Sequence, residues 1–155
     1  MQRTILAGFT LALGACVSGG GETPAPPPLA ADSEQPALAL FEHVLTGYFA
    51  AFGANPPTTC AMLRPGPLSA EQEEALITRF VRLAPASRCA PVGEGWRDAI
   101  TEGPAQVVQI YDFACSAPER CTGWVAAPGA PAKRYAMRFE GGMWDFASDP
   151  RIIAE

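Results

Sequence analysis

Two adjacent glycines, Gly141-Gly142, stand between two stretches in which apolar and polar residues alternate, Lys133–Glu140 and Met143–Ala147. A two-residue loop between alternating segments closes a tight antiparallel hairpin. Its favoured turns need positive φ, which glycine adopts without steric penalty. The loop also fixes register: Glu140 opposes Met143, Phe139 opposes Trp144, Arg138 opposes Asp145 and Met137 opposes Phe146. The apolar pairs then share one face and the Arg138–Asp145 ion pair the other. A slip of one residue would turn every side chain over.

The same reading extends upstream. Val107–Cys115 and Cys121–Ala127 read as two further strands, with a shorter one around Trp96–Thr101. If Cys115 sits opposite Cys121, Phe113 opposes Gly123 and Tyr111 opposes Val125. One sheet face is then Tyr111, Phe113, Val125, Tyr135, Met137, Phe139, Trp144 and Phe146. Alternation sends Val108, Ile110, Asp112, Thr122, Trp124, Ala126, Ala136, Arg138, Asp145 and Ala147 to the other. Trp124 is a large aromatic among small residues on that outer face, and such a residue is a candidate interface anchor, for a second subunit or another protein. The competing reading has Ile152 and Ile153 fold back and cover it.

The period changes in the first half. Leu38, Phe41, Leu45, Tyr48 and Phe52 recur at helical spacing, which predicts an amphipathic helix over 37–52, stopped by Pro56-Pro57. His43, the single histidine, falls on the opposite side, facing solvent without an acidic partner. Thr59–Leu63 reads as one helical turn. Ser69-Ala-Glu-Gln72 is a capping-box pattern opening a helix that runs to about Ala84, with Ile77, Phe80, Val81 and Ala84 on one stripe. Glu71, Glu73 and Glu74 near its start and Arg79 and Arg82 near its end complement the helix dipole. That explains the glutamates better than a metal site does. Ser87–Gly95 reads as loop. Two helices laid on one face of an antiparallel meander make an α+β domain spanning 37–155.

The chain of 155 residues carries a formal charge of −5. An acidic protein gains nothing from counterion release, which argues against nucleic acid as a partner. Arg3 precedes an uncharged, mostly apolar run, Ile5–Ala15. That run is too short to span a bilayer, which takes ~20 apolar residues, but it suits a secretory signal peptide. Its end, Leu13-Gly14-Ala15-Cys16, resembles the lipobox of bacterial lipoproteins. The resemblance implies removal of residues 1–15 and lipidation of Cys16, on its sulfur by diacylglyceryl and on its new amino group by an acyl chain such as palmitate. Val17 and Ser18 follow, with no inner-membrane retention Asp, which points to the outer membrane facing the periplasm. Residues 16–36, with Gly19-Gly20-Gly21 and Pro26-Pro27-Pro28, read as a tether. Of five cysteines, assigning Cys16 to lipid leaves Cys60, Cys89, Cys115 and Cys121 to pair in an oxidising compartment. Four cysteines allow three connectivities; 60–89 with 115–121 is the most local.

Tyr48-Phe-Ala-Ala-Phe-Gly53, Thr59-Cys-Ala-Met-Leu63, Cys89 and the closing Met137–Phe146 hairpin resemble secreted NTF2-like domains. The resemblance implies a cone-shaped fold in which helices cover a curved sheet and leave a pocket, and an outer sheet face that often dimerises. The family's enzymes place an Asp–His or Tyr–Asp set in that pocket. Here Asp112 and Asp145 fall on the other face and His43 points away. No nucleophile–base pair, glycine-rich phosphate loop or metal-ligand spacing is present. The expected function is therefore a non-catalytic binding or accessory module, a membrane-anchored envelope lipoprotein without cofactor or metal. Two alternatives are a small enzyme using Tyr48, Tyr111 or Tyr135 in the pocket, and an inhibitor of an envelope enzyme acting through the Ser116–Arg120 loop.

Overall fold

The computed structural model describes residues 26–52 and 56–153. The expected signal segment, Cys16 and the glycine-rich half of the expected tether lie outside the described residues. The fold is α+β: two helices and a curled, mixed sheet of eight strands. In chain order these are α1 (Pro36–Ala51), β1 (Thr58–Leu63), α2 (Ala70–Arg79), β2 (Leu83–Ala84), β3 (Cys89–Val92), β4 (Gly95–Asp98), β5 (Pro104–Ala117), β6 (Arg120–Ala126), β7 (Lys133–Glu140) and β8 (Met143–Ile153). The sheet order is β2-β1-β5-β6-β7-β8, with the β3–β4 hairpin attached to β5 through β4.

The sheet is not the antiparallel meander expected. Strands β5 to β8 do form one, but β1 runs parallel to both of its neighbours, β2 and β5. The segment 59–63, read as a helical turn, is this strand. Its Ala-Met-Leu favours helix locally. Six residues of continuous pairing with β5, from Thr58↔Ala105 to Leu63↔Ile110, override that preference. The parallel pair β1–β2 needs a crossover, and α2 supplies it. So α2 stops at Arg79 rather than near Ala84; Leu83–Ala84 is strand, and Val81 is 89% exposed instead of lying on a core stripe. The capping box is formed: Ser69 Oγ accepts from Gln72 N–H, and Gln72 Oε1 accepts from Ser69 N–H. The expected loop 87–95 holds the end of a 3-10 turn, Ala86–Arg88, followed by β3.

The hairpin closed by Gly141 and Gly142, at φ 62° and 83°, has the register derived for it at all four pairs. Arg138 and Asp145 face each other but do not close into an ion pair; Asp145 Oδ1 instead accepts from Phe146 N–H. The pairing Cys115↔Cys121 is also as derived, and both local disulfides are present, Cys60–Cys89 and Cys115–Cys121. On a chain-entropy model their loops contribute about 3.5 and about 2.4 kcal/mol.

Between that disulfide and the start of β5 the derived register fails by one residue. Tyr111 opposes Trp124, not Val125, because a bulge lies between Tyr111 and Ala114. Asp112, at φ +50°, is its kink. Asp tolerates this left-handed conformation better than most residues, and one inserted residue flips the faces upstream of it. Val108 and Ile110, expected outside, are therefore fully buried in the core, and Tyr111 is on the outer face.

The core lies between α1 and the sheet. Leu38, Leu40, Phe41 and Leu45 meet Val108, Ile110, Val125, Met137 and Trp144, with Leu76 and Leu83 closing one side. Full burial of such side chains is worth roughly 1.5–3 kcal/mol each. Residues 37 to 42 of α1 are all buried, not one stripe of them. The reason is a second cover. The tether does not end at Pro36: residues 26–35 lie on the domain. Ala30 in the 3-10 turn Leu29–Ala31 is buried, and Trp144 Nε1 donates to the Asp32 carbonyl at 2.9 Å. A smaller core, on the other sheet face, joins Cys60, Cys89, Ala84, Ala105 and Val107 under the β3–β4 hairpin.

Gly123 lies against Phe113, whose Cδ2 would be 2.8 Å from an added Cβ, with Leu40 and Ile110 also at van der Waals range. Gly123→Ala is expected to destabilise by about 1–3 kcal/mol through overpacking. Thermal unfolding followed by circular dichroism checks it; an unchanged midpoint would mean that the Phe113 ring does not cap this glycine.

Candidate binding surface

Three polar clusters are buried, and each is consumed by the fold. Asp98 has no exposed surface. Its Oδ2 pairs with Arg88 Nη2 and accepts from Thr58 Oγ1 at 2.6 Å; its Oδ1 accepts from Arg88 Nε at 3.2 Å and Ile100 N–H at 2.9 Å. The Arg88 guanidinium and then the Thr58 hydroxyl hold this carboxyl well below the usual carboxylate range, against the desolvation that would raise it. Glu42 is the second buried carboxylate. Arg79 Nε stands 2.7 Å from its Oε1, and Ala30 N–H donates to Oε2 at 2.9 Å. Tyr48, the third, donates to Gln106 Oε1 and lies 3.3 Å from Thr59 Oγ1. Burial raises its pKa.

The tyrosines proposed as pocket handles are thus not gathered. Tyr48 is under the end of α1, Tyr111 is on the outer face, and Tyr135 is near the rim, where burial raises its pKa. The space between α1 and the sheet, where the pocket was expected, is occupied by Leu40, Phe41, Leu45, Ile110 and Met137, none more than 1% exposed. His43 is exposed, as expected, but not without partners. Its ring stacks on Phe146 (centroids 4.4 Å, planes 14° apart) and meets Tyr135 edge-on at 5.6 Å. Desolvation lowers its pKa, while the charge of Asp145 pulls the other way. The Ser116–Arg120 loop is an exposed hairpin tip closed by its disulfide. Among the described residues no three or more His, Cys, Asp or Glu side chains are grouped to hold a metal ion, and no helix is long and apolar enough to cross a membrane.

What remains is the outer sheet face. Tyr111 and Trp124, cross-strand partners on β5 and β6, hold their rings nearly parallel, 10° apart, with centroids 6.2 Å apart. That spacing is too wide for full overlap, so the pair presents a stepped aromatic surface. Both are half-buried. Around them stand Thr122, Ala126, Ala136 and Ala147, as alternation requires, with Arg134 opposite Trp124 on β7. Strand β8 continues to Ile153, its backbone beside Lys133, rather than turning back over Trp124. A cleft of about 510 Å³ lies beside Tyr111, lined by Arg64, Pro65, Gln109 and Asp112. A second, about 350 Å³, is lined by Trp96, Gln109, Ala126 and Pro128 among others. A third, about 320 Å³, lies between the 64–68 loop and α2; Glu73 in its wall already accepts from Ala86 N–H.

Sequence reasoning singled out Trp124 but missed Arg64, Trp96, Gln109 and the outward turn of Tyr111. One signal was there: Gln109 is a lone amide inside Val107-Val108-Gln109-Ile110. Comparison with protein-family models, with curated proteins and with solved structures finds no match.

Two measurements follow from the titrating groups. Asp98 has a depressed folded pKa, so its contribution is complete above its ordinary value of 3.8 and lost as pH falls below it. Asp98→Asn is expected to lower stability at pH 7 and to flatten the loss seen between about pH 4 and 2; equal acid slopes for variant and wild type would refute it. His43 also has a depressed folded pKa, so its contribution is present above 6.5 and declines as pH drops. His43→Ala should cost about 1 kcal/mol from lost ring contacts, flatten stability between about pH 6.5 and 5, and leave binding intact.

Proposed function

We propose that this chain is a lipid-anchored protein of the bacterial envelope that acts as a non-catalytic binding or accessory module, with the outer sheet face as its contact surface. The observation that carries the reading is the Tyr111–Trp124 pair, two large half-buried rings set among small side chains on the outer sheet face. The filled space between α1 and the sheet supports binding over catalysis. The anchor at Cys16 rests on the Leu13-Gly14-Ala15-Cys16 resemblance, and with it the periplasm-facing outer membrane. The NTF2-like assignment is part of the same proposal; what supports it is a long first helix lying across a curled sheet whose last hairpin carries Trp144.

Cys16→Ser is expected to move the protein from the membrane fraction to the soluble one, and mass spectrometry of the wild type should find lipid on Cys16. Persistent membrane association of the variant, with no lipid on the wild type, rejects the anchor. Trp124→Glu should reduce crosslinking of the full chain to envelope components or to a second copy at least tenfold, with its circular dichroism spectrum kept. Unchanged crosslinking, or a variant that only unfolds, rejects the surface.

A further inference from the structure

We infer that the cleft between β1 and α2 binds a free di- or tripeptide with apolar side chains. The peptide lies as an added strand beside residues 61–63, its carboxylate on Arg64 and its amino group on Glu73. This site is distinct from the Tyr111–Trp124 pair and stands whether or not that face binds anything.

Strand β1 has six residues, and its two neighbours cover it unequally. β5 pairs with all six, whereas β2 meets only Thr59 and Cys60, through Leu83 and Ala84. The next residue in register would be Pro85. Proline has no N–H to give a ladder, and the Pro85 carbonyl accepts from Arg88 N–H as the chain turns away. Among the described residues, Ala61, Met62 and Leu63 therefore have no strand on the side away from β5. Neighbouring residues of a strand turn their backbone groups to opposite edges. Arg64 N–H donates to the Ile110 carbonyl of β5, so Leu63 N–H points to the open edge.

The cleft of about 320 Å³ lies along this edge. Met62, Leu63, Pro67 and Leu68 make it mainly apolar, and Glu73 and Ala86 also line it. Three residues of strand cover about 10 Å, which is room for two or three added residues. A longer chain would have to pass through the place of Ala84, which already pairs with Cys60. That restricts the occupant to a free short peptide.

The charges set its direction. Arg64 is exposed and, among the described residues, forms no ion pair. Glu73 uses Oε1 to accept from Ala86 N–H at 2.7 Å, which leaves Oε2 for a ligand. A peptide parallel to β1, as β2 is, ends beside Arg64, where its carboxylate can take two bonds from the guanidinium. Its ammonium then falls towards Ala86 and Glu73. The reverse direction would set an ammonium against Arg64. A fatty acid is a poorer occupant. Its tail would leave the edge N–H and C=O groups unserved and would lie against the Glu73 carboxylate. An added strand satisfies both.

The test titrates the full chain, purified in detergent, with leucyl-leucine, its C-terminal amide, its N-acetyl derivative and decanoate, read by calorimetry. Leucyl-leucine should bind saturably, and each blocked form about tenfold or more weakly, as loss of one charge-assisted bond implies. Arg64→Gln should abolish the advantage of leucyl-leucine over its amide. Glu73→Gln keeps an acceptor for Ala86 N–H and should abolish the advantage over the N-acetyl form. Amide exchange followed by NMR should show Leu63 N–H slowed at least tenfold by leucyl-leucine, and Arg64 N–H unchanged. The blocked peptides probe the unmodified protein, so the outcome does not hang on how the variants fold. Absence of saturable leucyl-leucine binding, equal binding of the blocked forms, or tighter binding of decanoate overturns the inference. Binding that leaves Leu63 exchange unchanged puts the peptide elsewhere and overturns it too.

Discussion

The carboxylate of Asp98 has no contact with water, and a charge in that position is tolerable only if its lone pairs are occupied. Here they are occupied by groups from three places in the chain: Thr58 at the start of β1, Arg88 in the turn before β3, and the backbone of the loop after β4. The loop closes on itself as well, since Asp98 N–H donates to Gly103 carbonyl and Glu102 N–H to Asp98 carbonyl. Ala99 N–H reaches Arg88 carbonyl, next to Cys89 and its disulfide to Cys60. Removing the charge alone would release several partners at once, and this is the situation in which a buried ion pair matters most. The β3–β4 hairpin is held over the outer face by this knot. The position of Trp96 on that face depends on a residue that has no exposed surface of its own.

How much of this was legible from the chain divides along contact distance. Pairs closed by short loops were read correctly to the residue: Phe139 with Trp144 across Gly141-Gly142, and Cys115 with Cys121 across five residues. Strand β1 was not, because its partners are Ala105 to Ile110 and Leu83–Ala84, and no local pattern announces a parallel neighbour. The side assigned to Tyr111 was wrong for a different reason. Alternation counts residues, and a bulge adds one silently; Asp112 was the only hint, as a residue that accepts positive φ. Asp98-Ala-Ile-Thr101 was read as part of a strand, yet an Asp whose side chain accepts backbone N–H groups further on is a known turn former. Trp124 could be placed on the outer face because β6 is regular from Cys121 to Ala126.

The burial of α1 shows how one misplaced boundary spreads. A helix covered on one side should show one apolar stripe. Leu38, Phe41, Leu45 and Tyr48 supply it. Ala39 and Leu40 lie outside that stripe and are buried as well, because the segment 26–35, read as tether, lies against the helix, and the sheet takes the other side. Glu42 is explained by the same cover, for its carboxylate receives Ala30 N–H from that segment and Arg79 from α2.

That segment also decides how tension would enter the domain. Pulled from its amino end, the chain first meets the Arg79 bond to Pro26 carbonyl, then Ala30 on Glu42, then Asp32 on Trp144, then Gln35 on Gln72. These bonds are loaded one after another rather than together, so each yields alone. Peeling residues 26–35 would release roughly 30 Å of slack before any force reached α1 or the strands. Under the proposed anchorage at the amino terminus, the strap would be a fuse: it gives length under strain and spares the sheet.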